Sequence, residues 1–416
     1  MFTPNITYHN TAETYFRLAE NSLAHAVEES RITDSDRNLI QKFVLRLKPK
    51  ISPGRYCKIV SMLVNVRRYF NVEFTQVDED EYLAALSNIK YAKHINGPKK
   101  GEPYSRNTIV DWMKIVKRFF LFLEDQGLTP VPKKIINETE TGVYDINTKS
   151  EEDVLTPDEI KALIAAARTP KYKAYIGLLY ETGARSIEIA NLRWKDLAVN
   201  PWGIQCTLHD TKTDKIRNIP CVMYASYVHE WRNNYPGNPT GENFVFVTPS
   251  GGPLHYPGVL KAMNLFAEKA GIRKKITLHI FRHSRITHVL REGMSETLVK
   301  KAYWGNAKTS MIETYGHLTS DDIRNEYLKM AGMEDVVPKA DVSPKPVTCP
   351  GCHTMSPPGT DYCPKCGKEL SAEAEENNLR IALKISKALS RMSSDARIAL
   401  AEELGLIVSY HENPAR

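Results

Sequence analysis

The sequence predicts a mainly α-helical fold with a small β-hairpin, arranged as two domains and followed by a four-cysteine module and a helical tail. Three observations support this prediction. Apolar residues recur at helical spacing through most of residues 13–331, strict alternation replaces that spacing just after residue 202, and four of the 7 cysteines lie between residues 349 and 366. A chain of 416 residues has room for two to three domains.

The composition, 42% hydrophobic and 25% charged, is that of an ordinary water-soluble protein. We find no run of 18 apolar residues, and the first 20 residues lack the basic head and apolar run of a secretory signal. We therefore expect a cytoplasmic protein that does not interact with membranes. The net charge of +7 permits a polyanionic partner without requiring one.

Residues 1–128 are predicted to form a helical domain. The stretch "RNTIVDWMKIVKRFFLFLEDQG" places its large apolar residues largely on one stripe and Lys114, Lys117 and Arg118 mostly off it. Lys99, Lys100 and Arg106 belong to a basic loop just upstream. These residues could form a cationic face, although a solvated helical bundle would show the same pattern.

Residues 129–153 are polar, show no helical period and are predicted to be a linker. A second domain is expected over residues 154–332, beginning with a capping box of Thr156 and Glu159. Alternation of Ile204, Cys206 and Leu208, followed by "TKTDK" and "IRNIP", predicts a β-hairpin. Helices are expected to resume near residue 256.

Two motifs in the second domain offer cationic side chains. In "YETGARSIEIANLRWKDL", Arg185 follows a helix-ending Gly183, where an arginine beside backbone N–H groups suits a phosphate, and Glu188 could orient it. A simple surface ion pair is the alternative. Lys212 lies at the hairpin turn, where exposed lysines are also common, with Lys215 and Arg217 close by.

Two further motifs lie downstream. In "LHIFRHSRITHVLREG", His279 and Arg282 are spaced to share a helix face. The spacing of His279 and His283 also occurs in zinc proteases, but the glutamate required after the first histidine is Ile280 here, so a metal site is disfavoured. In "AYWGNAKTSMIETYGHL", Tyr315 stands nine residues after Asn306.

The order of these motifs resembles that of the tyrosine recombinases, the phage integrase family. The resemblance covers residues 153–330 closely and residues 13–128 more loosely. It implies a helical, SAM-like core-binding domain that binds DNA, followed by a mixed α/β catalytic domain. It also implies a site-specific recombinase or integrase that cleaves and rejoins DNA without ATP or a catalytic metal.

The resemblance also implies roles for individual residues. Tyr315 would be the nucleophile that forms a 3′-phosphotyrosyl bond, and His279 the candidate base. Arg185 and Arg282 would hold the phosphate oxygens, Lys212 would protonate the leaving oxygen, and Glu188 would orient an arginine or His279. Asn306 departs from the family, which usually has histidine there and sometimes tryptophan, although an asparagine NH₂ can still donate a hydrogen bond.

The expected partner is double-stranded DNA, bound by homo-oligomers that form a tetramer in the synapse. The candidate DNA contacts are Lys99, Lys100, Arg106, Lys114, Lys117, Arg118, Lys215 and Arg217. Two alternatives remain open. One is a DNA-binding or transcription-associated protein whose catalysis is impaired, and the other is a relaxing enzyme similar to type IB topoisomerases.

A Pro-rich linker at residues 333–347 precedes "CPGCHTMSPPGTDYCPKCG". Two Cys-x2-Cys pairs at this spacing predict a zinc ribbon over residues 348–370, in which a structural zinc is held by Cys349, Cys352, Cys363 and Cys366. A redox dithiol or an iron–sulfur site is less favoured. Residues 371–416 are predicted to form an amphipathic helical tail. A ribbon in this position is similar to those of archaeal-type integrases.

Overall fold

A computed structural model of the chain describes residues 8, 11–146, 151–210, 215–315, 324, 327–328, 330–333 and 343–403. The chain divides into two compact units. The first contains residues 1–151 together with the short segments 252–259 and 310–317, and the second contains residues 152–251, 260–309 and 318–416. No helix in the described part of the chain is both long and apolar enough to cross a membrane.

The described residues of the first unit form six helices before residue 139. They are α1 (Ala12–Glu28), α2 (Asp34–Leu47), α3 (Pro53–Val66), α4 (Glu79–Lys90), α5 (Arg106–Asp125) and α6 (Lys133–Glu138). Serine, threonine or aspartate side chains cap the N-termini of α1 to α5 by accepting a backbone N–H of the first turn. Helix α3 packs against α1, α2 and α5.

Aromatic rings fill the centre of this unit. The rings of Phe74 and Phe119 lie 4.9 Å apart in an edge-to-face contact, and Phe120 packs against Phe70. The stripe predicted for α5 is confirmed, because Trp112, Met113, Val116, Phe119, Phe120 and Phe122 are buried and Ile109 is partly buried. The first unit therefore has a hydrophobic core of its own.

The segment predicted as a linker without helical structure contains α6. Six residues are too few to show a helical period in sequence, so the prediction missed this helix. Ile136 is fully buried, and Lys117 of α5 donates to the carbonyls of Asn137 and Thr139 at 2.6 and 3.0 Å. These tertiary contacts hold the short helix against α5.

Seven helices follow between residues 157 and 304 in the described chain. They are α7 (Pro157–Ala166), α8 (Pro170–Glu181), α9 (Ser186–Ala190), α10 (Ala225–Asn233), α11 (Tyr256–Lys269), α12 (Ile280–Arg291) and α13 (Glu296–Trp304). The capping box of Thr156 and Glu159 is confirmed at the start of α7. Helix α10 precedes the predicted return of helices near residue 256, and it buries Val228 and Trp231.

A three-stranded antiparallel sheet interrupts these helices. Its strands, β1 (Leu197–Asn200), β2 (Gly203–His209) and β3 (Ile216–Cys221), are hydrogen-bonded in the order β1–β2–β3. Ile204, Cys206 and Leu208 of β2 are buried in alternation, as predicted. The sequence predicted β2 and β3 but missed β1, because a strand of four residues with an exposed middle carries no alternation signal.

The C-terminal part begins with two short antiparallel strands, β4 (Val347–Thr348) and β5 (Met355–Ser356). The two predicted tail helices are present as α14 (Ala372–Leu389) and α15 (Ser394–Glu403), while residues 404–416 lie outside the described part of the chain. Leu379 and Leu383 of α14 are more than 60% exposed. The described residues therefore leave the apolar face of α14 largely uncovered.

Candidate active site and metal centre

Arg185 lies in the turn between α8 and α9, as predicted. Gly183, two residues earlier, has a φ of +54°, a backbone conformation that favours glycine. A Cβ atom on Gly183 would come within 2.5 Å of Cε1 of Tyr303, so α13 packs directly on this turn. The turn consequently fixes the backbone of Arg185 beside the end of α13.

Two buried carboxylates hold the guanidinium group of Arg185. Its Nη1 donates to Oε1 of Glu188 at 3.2 Å and to Oδ2 of Asp210 at 2.8 Å, and its backbone N–H donates to Oε2 of Glu188 at 2.7 Å. The Arg185 side chain is 31% exposed, whereas Glu188 is fully buried and Asp210 nearly so. The carboxylates orient the guanidinium while part of it stays accessible to an anion.

Arg217 was predicted to contact DNA, and the structure contradicts that prediction. Its side chain is 1% exposed; Nη2 donates to Oε2 of Glu188 at 2.6 Å and Nη1 to the carbonyl of Ala302 at 3.0 Å. Side chains alternate along β3, so Arg217 points inward while Ile216 is exposed. Lys215, at the end of the hairpin, remains partly exposed.

Arg282 is buried in the first turn of α12. Its Nη1 donates to the carbonyl of Gly183 at 2.7 Å, and its Nη2 donates to the carbonyl of Tyr303 at 2.6 Å. The guanidinium carbon also lies 5.1 Å from the centre of the Trp304 ring. Arg282 thus joins the turn that carries Arg185 to the last turn of α13.

His279 precedes the first residue of α12 and is exposed. Its ring meets that of His283 edge-on, with the centroids 4.6 Å apart. Within the described residues, the four cysteines of the C-terminal module form the only group of three or more potential metal ligands. His279 and His283 are not part of that group.

Asn306 lies just beyond the C-terminus of α13. Gly305 ends the helix in the left-handed conformation, with φ of +63°, and Asn306 is exposed. Oδ1 of Asn306 accepts the backbone N–H of Lys308 at 3.0 Å, so the NH₂ group is the part of the amide that can donate to a ligand. The Lys215 side chain passes beside Gly305, bringing the hairpin to the end of α13.

The remaining two predicted catalytic residues are described less fully. Tyr315 is the last residue of a 3-10 turn, Met311–Tyr315, and the structure describes only the backbone of this residue. Lys212 lies outside the described residues. Their parts in catalysis therefore stay predictions from the sequence resemblance.

A buried hydrogen bond lies deeper in α12. Nδ1 of His288 and the hydroxyl of Tyr180 are 2.7 Å apart. Burial lowers the pKa of His288 to about 4 and raises the pKa of Tyr180 to about 12. Both groups are neutral near pH 7, so His288 supports the packing of α8 against α12.

Three of the predicted DNA contacts hold the segment 139–146 or the end of α6 against α5. Nε of Arg106 donates to the carbonyl of Val143 at 3.1 Å, and the ammonium group of Lys114 lies 3.7 Å from the centre of the Tyr144 ring. The ammonium group of Lys117 bonds two carbonyls of the linker, which makes it a poor candidate for a phosphate contact. Lys99, Lys100 and Arg118 are exposed.

The four predicted metal ligands come together in the C-terminal module. Their sulfur atoms all lie within 4.8 Å of one another, and the pairs Cys349–Cys366 and Cys352–Cys363 are 3.5 Å apart. Positive φ angles at His353 and Gly367 build the tight turn after each Cys-x2-Cys pair. This group could bind one metal ion.

The electrostatics of the cysteines also favour a cation. Hydrogen bonds from Thr354 lower the pKa of Cys352 to about 6, which favours a thiolate. A backbone hydrogen bond at Lys368 acts in the same direction on Cys366, but the neighbouring Cys352 and Cys349 raise the pKa of Cys366 to about 12. A cation among the sulfur atoms would offset the repulsion between thiolates.

The sequence interpretation missed Asp210 as a partner of Arg185 and assigned Arg217 to the wrong surface. The alternation in "IRNIP" contained the signal for Arg217, because it places that residue on the same face as the buried Ile219. No comparable pattern marks Asp210, because polar residues are common in the turn that follows a strand.

Several known proteins of similar sequence are tyrosine recombinases. Residues 153–321 match the model of the phage integrase family. The tyrosine recombinase XerC of Anoxybacillus flavithermus is 27% identical over 271 residues, which is 62% of this chain and 87% of XerC. The tyrosine recombinase XerD of Halalkalibacterium halodurans is 31% identical over 192 residues, 43% of this chain and 62% of XerD.

Solved structures share the fold at lower identity. The DNA-bound lambda integrase fragment aligns with a TM-score of 0.51 and 14% identity, covering 68% of this chain and 96% of that chain. The integrase of transposon Tn1549 aligns with a TM-score of 0.52 and 19% identity, covering 70% and 99%. At these identities the likeness supports the fold.

Proposed function

We propose that this chain is a tyrosine recombinase of the phage integrase family, and that it breaks and rejoins double-stranded DNA at a specific site through a covalent bond to Tyr315. The chain is an enzyme of the tyrosine recombinase class, as its similarity to XerC and XerD indicates. The observation that carries the proposed mechanism is the cluster in which Arg185 and Arg282 are both fixed beside the end of α13.

The proposed reaction conserves the number of phosphoester bonds. The phenolic oxygen of Tyr315 attacks the scissile phosphorus, a 3′-phosphotyrosyl bond forms, and the bond to the 5′-oxygen breaks. Because the energy of the phosphodiester is kept in the protein–DNA bond, attack by a 5′-hydroxyl can rejoin the strand without ATP. Attack by a 5′-hydroxyl from another duplex would exchange strands.

Two proton transfers accompany the cleavage step. A free phenol has a pKa near 10, so Tyr315 must lose its proton as it attacks, and we assign His279 as the acceptor. Lys212 would give a proton to the 5′-oxygen as it leaves. The exposure of His279 at the start of α12 supports its assignment, since a base must reach the substrate.

Fixed cations would stabilise the charge on the pentavalent phosphate. The partly exposed Arg185 would contact the non-bridging oxygens, and the NH₂ group of Asn306 would donate a hydrogen bond. Arg282, which is buried on the carbonyls of Gly183 and Tyr303, would add its positive charge beside them. Glu188, which holds both the backbone and the guanidinium of Arg185, acts as the residue that orients it. In this scheme guanidinium groups take the place that metal ions have in other phosphoryl-transfer enzymes, so we propose no catalytic metal.

The four cysteines would hold a structural zinc ion. With zinc–sulfur bonds of about 2.3 Å, a tetrahedral site places its sulfur atoms about 3.8 Å apart. The separations here, 3.5 Å for two pairs and at most 4.8 Å for the rest, fit that geometry. Four thiolates complete the coordination, so the metal would stabilise the ribbon and leave no position for a substrate.

Residues 1–128 would bind DNA and residues 154–332 would carry out the chemistry. A DNA substrate is compatible with the cytoplasmic location expected from the sequence. A solved structure with the same fold is described as a lambda integrase tetramer bound to a Holliday junction, at a TM-score of 0.51 and 14% identity. This supports the proposal that four copies of the present chain assemble on two DNA sites.

The two alternatives from the sequence gain no support. The relatives named above are recombinases, and Arg185 and Arg282 are both held in place by hydrogen bonds. A topoisomerase would relax one supercoiled duplex, whereas a recombinase exchanges strands between two sites. A DNA-binding protein with impaired catalysis would do neither.

A suicide DNA substrate tests the proposal. A nick close to the cleavage site lets the short product diffuse away, so the covalent protein–DNA complex accumulates. We expect a complex that resists denaturant, forms with EDTA present and is absent from the Tyr315→Phe variant. Loss of the complex in EDTA would contradict metal-free catalysis, and relaxation without exchange between two sites would favour the topoisomerase alternative.

A further inference from the structure

Two buried arginines converge on the last turn of α13. Nη1 of Arg217 donates to the carbonyl of Ala302, and Nη2 of Arg282 donates to the adjacent carbonyl of Tyr303. The final carbonyls of a helix have no partner within the helix and carry partial negative charge, so guanidinium groups stabilise them. The two donors come from different elements, β3 and α12.

Each arginine also reaches the turn that carries Arg185. Arg282 does so directly, through the carbonyl of Gly183. Arg217 does so through Glu188, whose carboxylate accepts Nη2 of Arg217 at 2.6 Å and both Nη1 and the backbone N–H of Arg185. The position of Arg185 is therefore linked twice to the helix end that precedes Asn306.

We propose that Arg217 is a positioning residue, which fixes the guanidinium of Arg185 against Glu188 and holds the end of α13, and with it Asn306, at a set distance from Arg185. This inference rests on the proposed function, because it assigns Arg185 and Asn306 to the scissile phosphate. It replaces the predicted role of Arg217 in binding DNA.

Charge balance gives the inference its physical reason. Glu188 is fully buried and is shared by Arg217, 1% exposed, and Arg185, 31% exposed. A buried carboxylate must keep a charged partner. The buried guanidinium of Arg217 supplies that charged partner, so Arg185 can direct part of its own guanidinium toward a phosphate. Without Arg217, Glu188 would depend on Arg185 and draw its guanidinium inward.

The planar guanidinium of Arg217 lets this residue bridge two acceptors at once. Nη1 and Nη2 point to two acceptors on different elements, Ala302 in α13 and Glu188 in α9. The single ammonium group of lysine cannot span both with the same geometry. Arg217→Lys therefore keeps the buried positive charge, and with it the stability of the fold, but loses the bridge.

The test measures single-turnover cleavage of a suicide substrate at saturating protein, together with the Kd for DNA and the Tm. We expect Arg217→Lys to cleave about 10- to 100-fold more slowly, the range for a small displacement of a catalytic group, with Kd unchanged within about threefold. The matched control is Arg193→Lys, because Arg193 pairs with Glu242 away from this cluster. It should cleave at the wild-type rate.

A double-mutant cycle separates positioning from a general structural role. If Arg217 acts through Arg185, then Arg217→Lys should cost no more than about threefold in an Arg185→Lys background. An undiminished cost there, a wild-type rate in the single variant, or failure of Arg217→Lys to fold would each overturn the assignment. Absence of any covalent complex with the wild-type chain would instead overturn the proposed function, and this inference with it.

Discussion

The side chains of Arg185, Glu188, Asp210 and Arg217 bring two positive and two negative charges into one hydrogen-bonded cluster. The cluster is neutral before DNA binds. Arg282, which bonds the same turn, adds one positive charge close by. Because these groups are held by buried partners, little reorganisation is needed when charge develops on a bound phosphate.

Asn306 is the residue at which the chain departs from the pattern of the proteins it resembles, and its amide can be tested directly. Since its NH₂ group is the available donor, replacement by histidine should preserve a hydrogen bond to the phosphate. We expect Asn306→His to form covalent complex at the wild-type level or above, measured by gel on a suicide substrate. Asn306→Ala, which removes the donor, should be at least about tenfold slower. An inactive Asn306→His would show that the residue is misplaced.

His288 should make stability depend on pH. The pKa of this buried histidine is about 4, whereas an unfolded histidine titrates near 6.5, so the unfolded state binds the extra proton first as pH falls. Stability should therefore decrease between about pH 6.5 and pH 4, by about 3 kcal/mol from this residue. Urea unfolding at both ends of this range, compared with His288→Gln, isolates the effect. An equally steep decrease in the variant would contradict it.

Several site residues could be predicted from the order of their motifs along the chain. Arg185, Glu188 and Arg282 lie together, as their motifs predicted. The predicted DNA contact of Arg217 is wrong. Arg217 is close to Lys212 in sequence, but the pleat of β3 turns its side chain to the interior. Asp210, the second carboxylate that binds Arg185, is brought there by tertiary contacts and could not be predicted from spacing alone.

Helix α13 and the β-hairpin form the elements that present the site. The hairpin side chains of Lys215 and Arg217 lie against Gly305, so the end of β3 and the end of α13 are packed together. Lys212, the proposed general acid, comes three residues before Lys215 in the sequence and lies outside the described residues.

We expect a bound metal to decide whether the cysteine module folds. A module with two strands of two residues each buries too little apolar surface to fold without a metal. We expect one zinc ion per chain by elemental analysis, and a large loss of zinc in Cys363→Ser. Wild-type protein without zinc, or undiminished zinc in the variant, would contradict the proposed site.

Longer helices and strands with a regular apolar pattern could be predicted from the sequence, whereas very short ones could not. Helix α5 and strand β2 follow their apolar patterns, and the tail helices were placed correctly. Strand β1, with four residues, and helix α6, with six, owe their existence to pairing with β2 and packing on α5. Such contacts leave no periodic trace in a short segment.

At the scale of the whole molecule, the charge of +7 suits a partner with many phosphates. The predicted DNA contacts are not equivalent, because Arg118 is exposed whereas the ammonium group of Lys117 bonds two carbonyls of the linker. We expect log Kd to rise linearly with log salt, with a slope smaller by about 1 in Arg118→Gln. Lys117→Gln should leave the slope nearly unchanged.

Fluorescence anisotropy with a labelled duplex at several salt concentrations measures these slopes. Equal changes in the two variants would show that the linker carbonyls release Lys117 when DNA binds. A Kd that does not depend on salt would argue against phosphate contacts as the main source of affinity.

The covalent attachment of Tyr315 to DNA can be measured by trapping the complex on a suicide substrate, digesting the protein and identifying by mass spectrometry the peptide that carries the nucleotide. We expect the modified residue to be Tyr315, joined to a 3′-phosphate, and we expect Tyr315→Phe to yield no adduct. A DNA adduct on any other residue, or one that persists in Tyr315→Phe, would show that Tyr315 is not the nucleophile.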